Sequence, residues 1–183
     1  MYQLTSAGAN PLSLAEARQY LRDPDTADDP VIQRLIDMAA EYGERYTGRQ
    51  FRANTWTLTL PDFPDEIRLR KPPVSSITSV TRLVGGVVTA VSAADYYLTP
   101  QPHWGLLQPV PGAEWPSDGD DREDAVVITF VTEPYYQNAL IKSALLRHAA
   151  QMYADRGDCS DVVTAAIEGG AQVLYNSIRI PRV

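Results

Sequence analysis

The sequence predicts an α+β fold: a small helical layer of two N-terminal helices and one long C-terminal helix, with an inserted antiparallel β-sheet or open barrel and an extended C-terminal tail. Three observations predict it. Apolar residues recur at three- and four-residue steps before residue 50, the period switches to two from Thr55, and helical spacing returns after Pro134. The parts so marked are a helical part over 1–53, a β-rich insert over 54–133, a second helical part over 134–168 that packs on the first, and a tail over 169–183.

The first helix carries Leu14, Ala17, Arg18 and Leu21 at helical steps. Ser13 stands at the N-cap, and Glu16 follows three residues later as a capping-box partner. The segment Asp23-Pro24-Asp25-Thr26-Ala27-Asp28-Asp29-Pro30 is dense in turn formers, so it closes one helix and opens the next, with Asp29 as cap and Pro30 at the first helical position. Val31, Leu35, Met38, Ala39, Tyr42 and Tyr46 then mark the apolar stripe of the second helix, and Gly48 is its stop.

In the β-rich part Trp56, Leu58 and Leu60 alternate with threonines, and Ile67 and Leu69 alternate with Glu66, Arg68 and Arg70. Further strands are expected over 77–84, 87–91, 96–99, 105–110 and 125–132, with Gly85-Gly86 as a hairpin turn. Prolines at 61, 64, 72, 73, 100, 102, 109, 111 and 116 confine them to edges and ends. Five to seven strands are therefore expected. The third helix runs from Ala139 to Arg156 with Leu140, Ala144, Leu145, Ala149, Met152 and Tyr153 at helical spacing. A short helix over 161–168 and an uncapped mixture of apolar and basic residues follow.

Composition narrows the function. With 183 residues, 44% hydrophobic and 21% charged, the chain is ordinary globular material. It has no run of the about 18 apolar residues that would span a bilayer, and Met1-Tyr2-Gln3-Leu4-Thr5 does not read as a signal peptide, so a cytoplasmic protein without a membrane partner is expected. A net charge of -7 argues against wrapping nucleic acid, whose affinity comes from Lys and Arg on phosphates, but would keep DNA from sticking to a passage the protein lines.

No catalytic constellation stands out, and no cofactor or metal is expected. Cys159 is a lone thiol, His148 lacks an i±4 partner because positions 144 and 152 are Ala and Met, and His103 falls in a Trp-bearing loop. The acidic run from Asp118 to Asp124 lacks the closing Glu of a calcium loop, since its twelfth position is Thr129, so a solvated hairpin loop is the better reading.

The words Pro11-Leu12-Ser13-Leu14-Ala15-Glu16-Ala17, Leu21-Arg22, Tyr46-Thr47-Gly48-Arg49, Thr55-Trp56, Phe63-Pro64, Ile67-Arg68-Leu69, Pro72-Pro73-Val74, Asp95-Tyr96, Trp115-Pro116, Val127-Ile128-Thr129-Phe130 and Tyr153-Ala154-Asp155-Arg156 occur in this order. With that order and spacing, the chain resembles the head-tail connector (adaptor) family of tailed bacteriophages and gene transfer agents. The resemblance implies a virion-neck protein assembled in the bacterial cytoplasm, without catalysis or cofactor. It would form a ring, usually of twelve copies, whose partners are the portal protein above, the next neck or tail (stopper) protein below, and DNA passing through without specific binding. A head-completion stopper is the alternative, and a hydrolytic enzyme a remote one.

The tail suggests its own role. Leu174, Tyr175, Ile178 and Ile180 are apolar, Arg179 and Arg182 are basic, and such a segment with few partners of its own would be mobile in the monomer and order on the portal, the arginines pairing carboxylates. Its alternative is to fold back onto the chain's own helices.

Overall fold

The computed structural model describes residues 1–22, 26–136, 138–154 and 170–181. Two compact units emerge, each assembled from two stretches of chain: Met1–Gly8 with Arg52–Glu133, and Ala9–Phe51 with Pro134–Val183. The first eight residues, expected in the helical part, belong with the strands.

The β unit holds β1 (Tyr2–Ser6), β2 (Thr55–Leu60), β3 (Ile67–Leu69), β4 (Val74–Val84), β5 (Val87–Ala90), β6 (Tyr96–Pro100), β7 (Gly105–Pro109) and β8 (Val126–Thr132). They form a five-stranded sheet in the order β1-β2-β8-β4-β5 and a three-stranded sheet in the order β3-β7-β6, with every paired neighbour antiparallel. Seven strands lie where the two-residue period placed them; β1 is the addition. Its residues are exposed apart from a half-buried Tyr2, so it has no buried face to produce an alternating signal. Central strand β8 alternates fully, burying Val126, Ile128, Phe130 and Thr132. Their rows continue into Leu58 of β2 and Val80 of β4, and Ile67, Leu69, Val74 and Leu107 complete the core.

The helical unit holds α1 (Leu14–Leu21), α2 (Asp29–Thr47), α3 (Asn138–Ala154) and α4 (Ala171–Ile178). The capping box at the head of α1 is formed as expected: Ser13 Oγ accepts from the Glu16 amide while Glu16 accepts from the Ser13 amide at 2.9 Å. Helix α2 starts at Asp29 with Asp28 as its cap residue, one position before the expectation, and ends at a left-handed Gly48. Its buried stripe is also offset by one residue. Ile32, Ile36, Ala39, Ala40, Gly43 and Thr47 are buried, whereas Val31 and Met38 are 40% and 44% exposed. The small residues Ala40 and Gly43 decide this, because they let other elements approach the helix closely where a larger stripe would hold them off.

The extended tail expected over 169–183 is corrected. Residues 171–178 form α4, which folds back onto its own unit. Ala171, Tyr175 and Ile178 recur at steps of four and three and are buried, so the segment has the amphipathic period; what it lacks is a side-chain cap, since it begins at left-handed Gly170. The expected short helix over 161–168, Cys159 and Arg182 lie outside the described residues.

Gly43 is where this packing is tightest. A Cβ there would stand 2.5 Å from Phe51 Cε2 and 2.9 Å from Tyr175 Cε1, both in buried rings. Gly43→Ala gains about 1 kcal/mol of helix propensity, yet should lower stability by about 1–3 kcal/mol because two stacked rings must move. A urea midpoint equal to or above that of the unsubstituted protein would refute the close-packing argument.

Candidate assembly surfaces

The residues expected to contact a partner are mostly committed to the chain's own core. Tyr175 is 1% exposed and Ile178 2%. The Tyr175 ring stacks on Phe51 at 6.3 Å, and its hydroxyl lies 3.3 Å from His148 Nδ1. Leu174 packs half-buried on the same cluster. The backbone around the helix end is held as well: Arg49 Nε donates to the Ile178 carbonyl at 2.6 Å, and the Ile180 amide donates to the Thr47 carbonyl at 2.8 Å. Ile180 lies against Gly48, and Arg179 sits over the Tyr46 ring at 4.7 Å. Among the apolar side chains of α4, the one left outward is Val173, 70% exposed; Asn176 and Ser177 are exposed beside it.

Of the two readings open to a helical His148, surface or satisfied within the fold, the structure shows the second, with Nδ1 3.3 Å from the Tyr175 hydroxyl. The ring is buried, with Tyr42 edge-on at 5.2 Å and Tyr175 at 5.9 Å, and its Nε2 has no partner among the described residues. Burial holds its pKa down to about 4, so the ring is neutral. His103 is exposed in the loop beside Trp104, as expected. Among the described residues no group of three His, Cys, Asp or Glu side chains is placed to hold a metal ion, and no helix is long and apolar enough to cross a membrane.

The β unit offers more accessible features. A groove of about 320 Å³ is lined by Phe63, Arg82, Trp115, Pro116 and Asp120. Phe63 and Trp115 stack 4.8 Å apart, and Arg82 pairs with Asp118. The acidic run is not a hairpin loop, because it links β7 of one sheet to β8 of the other. Asp120 clasps the β4–β5 turn: its two carboxylate oxygens accept from the Gly85 amide at 2.7 Å and the Gly86 amide at 2.8 Å. Both glycines have positive φ, which is what a two-residue hairpin turn requires. The clasp joins residues about 35 positions apart, which no local pattern reveals.

At the other end of the five-stranded sheet the chemistry is basic and aromatic. The Tyr2 hydroxyl donates to the Arg68 carbonyl at 2.9 Å and accepts from the Arg70 amide at 3.0 Å. Lys71 Nζ lies 4.0 Å from the Trp56 ring centre and 5.9 Å from that of Tyr2. Segment 68–71 thus packs over the β1–β2 end of the sheet, on the face that carries Tyr2 and Trp56.

No family model and no curated protein matches this chain. Solved structures do. A chain in the neck of an empty GTA particle computed with C6 symmetry is similar with a TM-score of 0.80 at 24% identity. One in the virion of a native gene transfer agent (GTA) particle gives 0.78 at 23%, and one in the neck of a native GTA particle computed with C12 symmetry gives 0.76 at 24%. Each match covers 100% of this chain and 97% of the other. The likeness is one of fold, and it runs from end to end.

Acid should loosen the helical unit through His148. The folded chain keeps this ring neutral down to about 4, while the unfolded chain protonates it near the ordinary 6.5. Between those values the unfolded state binds more protons, so stability rises with pH across the window and is lost on acidification. From pH 7 to pH 5 the loss from His148 is about 2 kcal/mol, and it should vanish in His148→Phe. Glu16, held down to about 2 chiefly by its hydrogen bond from Lys142, acts mainly below its ordinary 4.5 and hardly enters this interval. Equal urea-midpoint shifts between pH 7 and 5 in both proteins would sink the assignment.

Proposed function

We propose that this chain is a structural neck protein of a tailed phage or gene transfer agent. In this reading it is a head-tail adaptor, repeated as a ring of about twelve copies, that seats on the portal, receives the next neck or tail (stopper) protein and leaves a channel for DNA. The observation that carries the reading is the end-to-end fold likeness to chains of GTA necks, two of them computed with C6 and C12 symmetry. The motif order read from the sequence supports the same conclusion independently.

The physical character of the chain fits that role. Its work in this reading is shape and contact; among the described residues His148 is sequestered in the core and His103 stands exposed in a loop beside Trp104. The net charge of -7 gives a channel wall that repels DNA phosphates and lets the duplex slide. The portal contact falls to the outer side of the C-terminal segment. Leu174, Arg179 and Ile180 remain half-buried there beside exposed Val173, whereas Tyr175 and Ile178 serve the core.

Electron microscopy of the purified chain mixed with its cognate portal ring should show a cap of density on the tail-facing end. Val173→Asp should weaken that cap about tenfold or more in occupancy-derived affinity, the scale of losing one buried apolar anchor, without moving the urea midpoint. No cap with the unsubstituted protein would overturn the adaptor role and move the protein to a stopper position; a cap unaffected by the substitution would overturn the docking role of α4.

A further inference from the structure

Both edges of the five-stranded sheet are open, and they differ in a way that one partner satisfies. Among the described residues, strands β1 and β5 each pair on one side only, and neither contains a charged residue or a proline, the usual guards of a sheet edge. Large apolar side chains are exposed on both: Leu4 is 41% exposed on β1, and Val87 and Val88 are 65% and 67% exposed on β5. The flanks carry opposite charge. Beside β5, the run 118–124 holds five carboxylates, of which Asp118 is paired with Arg82 and Asp124 with Arg122, and it is anchored there by the clasp of Asp120 on the β4–β5 turn. Near β1, the Tyr2 hydroxyl holds the backbone of Arg68 and Arg70 and Lys71 lies over Trp56; the Arg68 guanidinium is paired with Glu66, so Arg70 and Lys71 carry the basic flank.

We propose that the β5 edge of one copy docks on the β1 edge of the next, acidic flank against basic flank, and that this is the repeating contact of the ring. The inference rests on the neck reading and names the self-contact within it. The occupant is a second copy because the two edges complement each other and neither complements itself: acid would meet acid, or base would meet base, in a two-fold pair. Strand direction agrees. Each of the four steps from β1 to β5 is antiparallel, so the two edges run the same way, and copies repeated by rotation meet with β5 parallel to β1. The side chains agree too. Leu4 lies in the row of Trp56 and Phe130, and Val87 lies opposite Val84, which shares its face with Arg82, the partner of Val126, so Leu4 and Val87 are on one face of the sheet.

Two single-cysteine variants in a Cys159→Ser background, Leu4→Cys and Val87→Cys, test this with a bis-maleimide reagent, both in concentrated solution and on portal rings. The expected result is a dimer from the mixture and none from either variant alone. Its yield should fall several-fold at 1 M salt, where the Debye length is about 3 Å. Asp121→Lys/Glu123→Lys in the Val87→Cys chain should abolish it, and Arg70→Glu/Lys71→Glu in the Leu4→Cys chain should restore it. Dimers from either variant alone, no mixed product in both settings, or indifference to charge reversal would each overturn the contact. Portal binding without the mixed product overturns the contact and leaves the adaptor role standing; mixed product without portal binding supports the contact and overturns the adaptor role.

Discussion

Strand β8 is the constraint on which the β unit depends. It is paired on both sides, by β2 and β4, and it buries every second side chain from Val126 to Thr132. A one-residue slip would turn Ile128 and Phe130 outward and bring Val127 and Thr129 in, so the hydrophobic alternation fixes the register of three strands at once. Its last residue also ties down the chain. Thr132 accepts from the Asn54 amide at 3.1 Å, its own amide donates to the Asn54 carbonyl at 2.9 Å, and the Asn54 side chain takes the Gly8 amide at 3.0 Å. With the centre saturated, the remaining hydrogen-bonding capacity of the sheet lies at β1 and β5, the only edges it has.

In the helical unit the comparable element is the Tyr175 ring. It meets Phe51, Tyr42, Tyr46 and His148, so one aromatic side chain on the last helix touches residues from α2, α3 and the segment after α2. This arrangement is possible because position 43 has no Cβ. Burial pushes the Tyr175 phenol up and the His148 imidazole down, and both groups stay neutral in the cluster. A helix held by such a cluster is part of the fold, and a partner must take it as a surface.

In the proposed neck role, the separation of charge has a direct physical use. A net negative surface lowers affinity for DNA, but uniform negative charge would also hold identical copies apart. In the proposed ring, cations near one edge of a sheet and carboxylates near the other would relieve that repulsion in one orientation only, head to tail. The scaffold that keeps them apart is the sheet itself, four strand spacings of about 4.8 Å across.

The sequence by itself determined the class of fold, seven of the eight strands, the capping box at Ser13 and Glu16, and the stop at Gly48, because each depends on neighbours within a few residues. It did not determine β1, whose exposed residues carry no period, nor the face of α2, where Ala40 and Gly43 outweigh Val31 and Met38 through what packs on them. Only the tertiary structure decided that residues 171–178 are a helix in the core and that His148 is buried. Only it brought Asp120 to Gly85 and Gly86, and Tyr2 to Arg68 and Arg70. Those pairs are between 34 and 68 residues apart in the chain, and such contacts form only when long loops close, at an entropic cost, around a common core, which leaves no trace in any short window of sequence.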